Sequence, residues 1–281
     1  MNSRPVTDII IPQVVIEGAG VRLRRSIAPH PSNVLDPFLL FDHFSFRDPL
    51  EGPISGFPMH PHRGIETVTY MLEGSTHHRD SLGNAGMIGP GDVQWMTSGR
   101  GIMHEEMPRR GPDGAVSGFQ LWVNLPAAMK MTAPRYQEVA AESIPDVLQD
   151  GAHVRVVAGE VRGTPGPVAE IAARPTYLDV RLEPNSRLEH AIPGGHTALA
   201  YVFEGAGRFG VGRDSVESVR MVVFGDGDRI EVDTDDGVRF LLISGAPFGE
   251  PIAPYGPFVM NTADEIRQAI QDLRNGTFVT P

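Results

Sequence analysis

Through most of the chain apolar and polar residues alternate in short runs broken by Gly, Pro, Asn or Asp, a period-two pattern that reads as β-strands joined by tight turns. Val14-Val15-Ile16-Glu17 and Val21-Arg22-Leu23-Arg24-Arg25, linked through Gly18 and Gly20, predict a first hairpin. Residues 37–44 are an apolar run with aromatics, predicting a buried strand in which Asp42 and His43 have structural roles. Strands are also predicted over 65–72, on both sides of the turn Gly89-Pro90-Gly91-Asp92, and over 119–125. His77 and His78 are neighbours in a predicted hairpin, where successive side chains face opposite ways, so both are expected to be solvated. The pattern resumes over 153–161, 176–182, 196–205, 229–232 and 238–245. Helical spacing is convincing in one place, from Ala263 to Arg274: Ile266, Ala269, Ile270 and Leu273 form a stripe, Thr262 and Glu265 a capping box, and Asn275-Gly276 a stop.

The two halves rhyme. Tyr70-Met71-Leu72-Glu73-Gly74 is echoed by Tyr201-Val202-Phe203-Glu204-Gly205, and the Gly-Asp turn at 91–92 by Gly225-Asp226-Gly227-Asp228. Two copies of one small barrel explain this economically. Residues 134–151, with Pro134, Pro145 and several acids, lack strand periodicity and read as a linker. The prediction is an all-β protein of two tandem antiparallel barrels: 1–133, a linker over 134–151, and 152–281 ending in the helix.

Composition narrows the chemistry. A chain of 281 residues can bury a large core, and the absence of Cys removes disulfides, thiolate ligands and thiol nucleophiles. Any metal must therefore sit on nitrogen and oxygen, which suits Fe(II), Mn(II), Co(II) or Ni(II) at least as well as zinc. A formal charge of -11 argues against binding a phosphate backbone, so no direct nucleic-acid partner is expected. No apolar run approaches the ~18 residues of a membrane span, and Ile9-Ile10-Ile11 is too short for a leader. A cytoplasmic protein, acting as a monomer, is expected.

The candidate chemistry lies at His60-Pro61-His62 and at His104-Glu105-Glu106. In strands, His60 and His62 share a face, as do His104 and Glu106, so three imidazoles and a carboxylate can converge on one cation. A His-x-His pair also arises by chance; the metal reading requires the two stretches to be neighbours in space. Pro61 has no N–H to give, which places its strand at an edge. In the second half His196 stands alone with no counterpart to the His104–Glu106 pair, and that half is expected to be metal-free.

These residues resemble the pirin family of the cupin superfamily. The likeness runs through Gly56-Phe57-Pro58-Met59-His60-Pro61-His62-Arg63-Gly64-Ile65-Glu66-Thr67-Val68, Pro90-Gly91-Asp92-Val93-Gln94-Trp95-Met96-Thr97 and Gly99-Arg100-Gly101-Ile102-Met103-His104-Glu105-Glu106-Met107-Pro108. It continues in Leu121-Trp122-Val123-Asn124-Leu125-Pro126 and Tyr255-Gly256-Pro257-Phe258-Val259-Met260-Asn261-Thr262. The resemblance implies two jelly-roll (cupin) barrels and one metal, most often Fe(II), with Ni, Mn, Co or Cu as alternatives, held by His60, His62, His104 and Glu106. Many cupins use instead the carboxylate at the position of Glu66, which is kept as an outer candidate. The implied activity is quercetin-type flavonol 2,3-dioxygenation with O2, Glu106 or a neighbouring carboxylate taking the substrate's 3-hydroxyl proton. Phe57, Met59, Trp95 and Met107 are candidates for the pocket lining as well as for the core. The alternative that pirins also imply is an iron-dependent redox sensor that binds a transcription or metabolic protein.

Overall fold

The computed structural model describes residues 2–47, 56–210 and 215–279. These are mostly strands, with one α-helix, Ala263–Asn275, at the end of the chain. The helix begins and ends as its sequence predicts: Thr262 and Glu265 form the capping box, and Gly276 closes it at φ 71°. The apolar stripe is narrower than predicted, since Ile266 and Ala269 are buried but Leu273 is exposed.

The chain divides into two units whose boundaries differ from the predicted ones. One comprises residues 13–141 and 248–281; the other comprises 1–12 and 142–247. Both ends of the chain therefore belong to the unit built mainly from the opposite half. The predicted linker is also corrected. Arg135–Val139 pairs with Val93–Thr97, and Asp146–Gln149 pairs with Ala152–Ala158. Both are outermost strands of their sheets, where charges are tolerated, and Pro134 and Pro145 flank them rather than interrupt them.

In the unit of residues 13–141 and 248–281 a seven-stranded antiparallel sheet runs, in spatial order, Arg135–Val139, Val93–Thr97, Ile65–Glu73, Ala115–Asn124, Phe38–Arg47, Val21–Ile27 and Gln13–Glu17. A four-stranded sheet runs Phe57–His62, Ile102–Arg109, Ser75–Asp80 and Ala85–Ile88. The predicted first hairpin is present, with Glu17 opposite Val21. The returning C-terminal segment adds the hairpin Ala253–Tyr255 and Phe258–Met260, and the helix packs Ile266 and Ala269 against Phe258, Met260 and Phe278. Polar ties hold it: Arg63 donates to Asp272 Oδ2 at 2.7 Å, and the buried Lys130 ammonium donates to the carbonyls of Gly64 and Val259 and to Asn124 Oδ1.

The other unit is built on one branched sheet of ten strands, with a small separate hairpin of Glu160–Val161 and Thr164–Pro165. Its longest strand, Thr197–Phe209, pairs first with Arg220–Phe224 and Val238–Gly245, then with Ser215–Glu217 and Arg229–Thr234. Inside lies one continuous apolar cluster that includes Leu178, Val180, Leu188, Phe209, Phe224, Phe240 and Leu242. Phe209 and Phe240 meet edge to face at 5.2 Å, an arrangement aromatic rings favour.

Candidate metal centre

Strand pairing brings the predicted imidazoles together. Phe57–His62 is the outermost strand of its sheet, as Pro61 requires, and pairs antiparallel with Ile102–Arg109 so that His60 lies directly opposite His104. His62, two residues along, faces the same way. Between His104 and Glu106 the pairing slips and Glu106 comes opposite Phe57, a β-bulge whose extra residue lies on the Phe57–His62 strand, so Glu106 keeps the alternate position it shares with His104. Ring centroids are 4.4 Å apart for His60 and His104, 4.9 Å for His60 and His62, and 5.0 Å for His62 and His104. One nitrogen from each lies within 4.8 Å of the others.

The hydrogen bonds around these rings suit a cation. His60 Nδ1 is 2.9 Å from the Pro58 carbonyl and His62 Nδ1 is 3.4 Å from that of Pro257. A carbonyl only accepts, so each Nδ1 carries a proton, which in a neutral ring leaves Nε2 free to bind a cation. The two Nε2 atoms are 3.1 Å apart, close enough for both to face one cation. Both nitrogens of buried His104 have no hydrogen-bond partner among the described residues, which a buried polar group tolerates poorly unless something else binds it. Burial, reinforced by the neighbouring rings, lowers the His62 pKa to about 3 and that of His104 well below the usual imidazole range. Both are therefore neutral at pH 7 and available as ligands. The triad can bind a metal ion.

Glu106 is buried one alternate position from His104, and its Oε1 accepts a 3.0 Å hydrogen bond from Thr69 Oγ1. It stands outside the compact cluster of nitrogens formed by the triad. Burial raises its pKa, opposed by His60, the Thr69 bond and His78. Glu66 is held apart from the triad: Oε1 accepts from Thr97 Oγ1 at 2.9 Å and Oε2 from Trp95 Nε1 at 3.1 Å.

Beside the triad lies a cavity of about 540 Å³, walled by Val21, Leu23, Leu40, Phe44 and Trp122 and bordered by His60, His62, Thr69 and Glu106. Of the predicted lining only Phe57 borders it. Trp95 is instead buried core tied to Glu66, Met59 is 42% exposed on the edge strand, and Met107 alternates with Glu106 and Pro108 and so faces the other way.

Several residues were missed by sequence reasoning. His78 is buried rather than solvated, because it lies opposite Glu106 on the inward face; His77 is exposed as predicted. Asp42 is not merely structural but lines the cavity, with Arg25 and Gln120. Pro254, Gly256 and Pro257 reach the cavity wall from the far end of the chain. A same-face signal was available for His78 once its register with Glu106 was known; none marked the C-terminal segment.

The family models match both halves of the chain: Pirin over residues 20–123 and the Pirin C-terminal cupin domain over 177–279. The chain belongs to the pirin family. It is 44% identical over 280 residues to a pirin-like protein of Caulobacter vibrioides, covering 99% of this chain and 100% of that one. It is equally 44% identical to human pirin, over 98% of this chain and 93% of that one. Among solved structures it is similar to a quercetin 2,3-dioxygenase from Acinetobacter baumannii, with a TM-score of 0.92, 34% identity and 99% of each chain covered. Two cupin domains are thus established, as the paired halves of the sequence predicted, and the imidazole triad lies among residues matched by the pirin model.

Proposed function

We propose that this pirin is a metal-dependent dioxygenase that opens quercetin-type flavonols with O2 and releases carbon monoxide. The observation that carries the reading is a triad of imidazoles, two of them buried and held neutral, at the wall of a largely apolar cavity of about 540 Å³. The similarity to a quercetin 2,3-dioxygenase supports the choice of substrate. A divalent transition metal held by His60, His62, His104 and Glu106, iron(II) in this reading, supplies a Lewis acid for the flavonol's hydroxy-ketone and the means of reaction with O2.

The chain's own residues supply the rest. The Pro58 and Pro257 carbonyls fix the ring orientations of His60 and His62. Glu106 accepts the proton of the 3-hydroxyl; its burial raises its proton affinity, and the Thr69 hydroxyl holds Oε1 in place. Val21, Leu23, Leu40, Phe44 and Trp122 keep water from the deprotonated ring.

The test mixes iron-loaded protein with quercetin in air and follows loss of flavonol absorbance and release of carbon monoxide, with His104→Ala and Glu106→Ala as controls. Turnover in the wild type that both substitutions abolish is expected. A wild type no faster than its variants overturns the reading.

A further inference from the structure

A row of polar side chains crosses the cavity wall away from the triad. Gln120 lies opposite Thr69 on one neighbouring strand and opposite Asp42 on the other, and Asp42 lies opposite Arg25 on the next. Residues directly opposite share a face, and Thr69, Gln120, Asp42 and Arg25 all border the cavity. Strands are about 4.8 Å apart, so Asp42 is about 10 Å and Arg25 roughly 14 Å from the Thr69 position beside Glu106.

Within the row, close polar contacts link Thr69 with Gln120 and Asp42 with Arg25. Thr69 Oγ1, whose one proton goes to Glu106, lies 2.8 Å from the end of the Gln120 side-chain amide and can accept from it; Arg25 donates through Nε to Asp42 Oδ1 at 2.8 Å and through a terminal nitrogen to Oδ2 at 2.7 Å; its other terminal nitrogen reaches Glu17 at 2.8 Å. A buried ion pair commonly adds no stability over apolar residues of the same volume, so the fold does not demand one here. The other unit makes the contrast: its bidentate pair, Asp179 with Arg239, alternates with the core residues Leu178 and Val180 and therefore faces away from the core. Asp42 and Arg25 face an open space instead. Their hydrogen-bonding capacity is not exhausted, because a carboxylate has about four acceptor sites and a guanidinium about five N–H groups. Arg25 takes two of the former and uses three of the latter in these contacts.

We infer that Gln120, Asp42 and Arg25 form a distal subsite that grips vicinal hydroxyls on the far ring of a flat phenolic ligand whose near end lies at the three imidazoles. The assignment of the near end rests on the proposed function; the subsite itself needs only a ligand in the cavity. Hydroxyls donate to Asp42 and accept from Arg25 and the Gln120 amide, while the apolar walls hold the ring faces. A ring without hydroxyls leaves the ion pair covered and unsatisfied, and sites built for a hydroxyl discriminate strongly for that reason.

The test is calorimetric titration of the full chain, metal-loaded and metal-free, with quercetin, which has two vicinal hydroxyls on that ring, and with galangin, which has none. Wild type is expected to bind quercetin at least about tenfold tighter than galangin, well inside the discrimination such sites reach. Gln120→Leu and Asp42→Asn are expected to bring the two ligands within about twofold of each other, with galangin affinity equal to or above that of the wild type because fewer polar groups are left covered. Galangin affinity no lower than that of the wild type also certifies that each variant is folded, and Gln120→Leu tests the subsite without disturbing the ion pair. Equal affinities in the wild type, or a preference that survives both substitutions, overturns the inference. Selective binding without turnover removes the dioxygenase reading and keeps the subsite; turnover without selectivity removes the subsite alone.

Discussion

Two halves of one chain, alike in sequence rhythm and in cupin fold, fill their interiors in opposite ways. Around Tyr201 the inward positions are a continuous apolar cluster with Phe209, Phe224 and Phe240 at its centre. Around Tyr70 the corresponding space is kept open, and His60, His62, Glu106, Thr69, Gln120, Asp42 and Arg25 border the cavity. The difference separates two tasks of a core: dense packing supplies stability, whereas a cavity lined with imidazoles and buried carboxylates can supply chemistry at the expense of stability.

The comparison breaks hardest at His104. His104→Ala removes a ligand of the proposed centre, so metal affinity is expected to fall by more than the roughly 100-fold that an outer-shell change reaches, and metal content after loading to drop to near zero. Elemental analysis after loading checks this, and full metal retention in the variant would refute the triad. The packed unit gives the next effect. Leu242→Ala is expected to cost about 3–5 kcal/mol, because the gap opens inside a closed cluster. The matching change Leu23→Ala is expected to cost only about 1–2 kcal/mol, since that side chain already borders open space. Urea unfolding of both variants decides the matter; equal losses would mean that the two interiors are equally packed.

How much of this was legible follows from what alternation can and cannot encode. Period two sufficed to put His60 and His62 on one face and His104 and Glu106 on another, and Pro61 marked the edge strand on which the cluster opens. Face sharing is local and survives whatever partner a strand finds. Pairing between strands distant in sequence is not local, so the row from Thr69 through Gln120 and Asp42 to Arg25 could not be read, nor could His78 beside Glu106. The exchange of chain ends between units was hidden for the same reason: Pro257 and Asp272 are more than 190 residues from the partners they meet. Trp95 and Met107, candidates for the core as well as for the lining, are kept from the cavity by their faces: Trp95 is core tied to Glu66, and Met107 points the other way.

Glu66 sharpens the contrast through pH. Burial raises its carboxyl from 4.5 to about 7, against the pull of Thr97, Trp95 and Arg135. Between those values the folded state keeps a proton that the unfolded chain has lost. Stability is therefore fully retained below pH 4.5 and declines as pH rises towards 7, by about 3 kcal/mol for this group. Urea unfolding of metal-free wild type and Glu66→Gln across that window checks it: the variant is expected to gain on the wild type by that amount as pH rises. A difference that stays constant with pH would mean that the carboxyl is not held in its neutral form.

The smallest expected effect probes the segment that the sequence concealed. Asp272 accepts from buried Arg63, whose guanidinium also donates to the Arg100 carbonyl and lies 4.5 Å from the centre of the Phe278 ring. Because those other contacts persist, Asp272→Asn is expected to cost only about 1–2 kcal/mol. The same segment places the Pro257 carbonyl behind His62, so a looser segment is expected to weaken metal binding as well, by less than about tenfold because it acts through a backbone carbonyl rather than a ligand. Chelator competition measures that change and thermal melting the first. Unchanged metal affinity alongside a lowered melting point would show that the segment closes the cavity without orienting His62; a loss as large as that of His104→Ala would make it part of the metal centre itself.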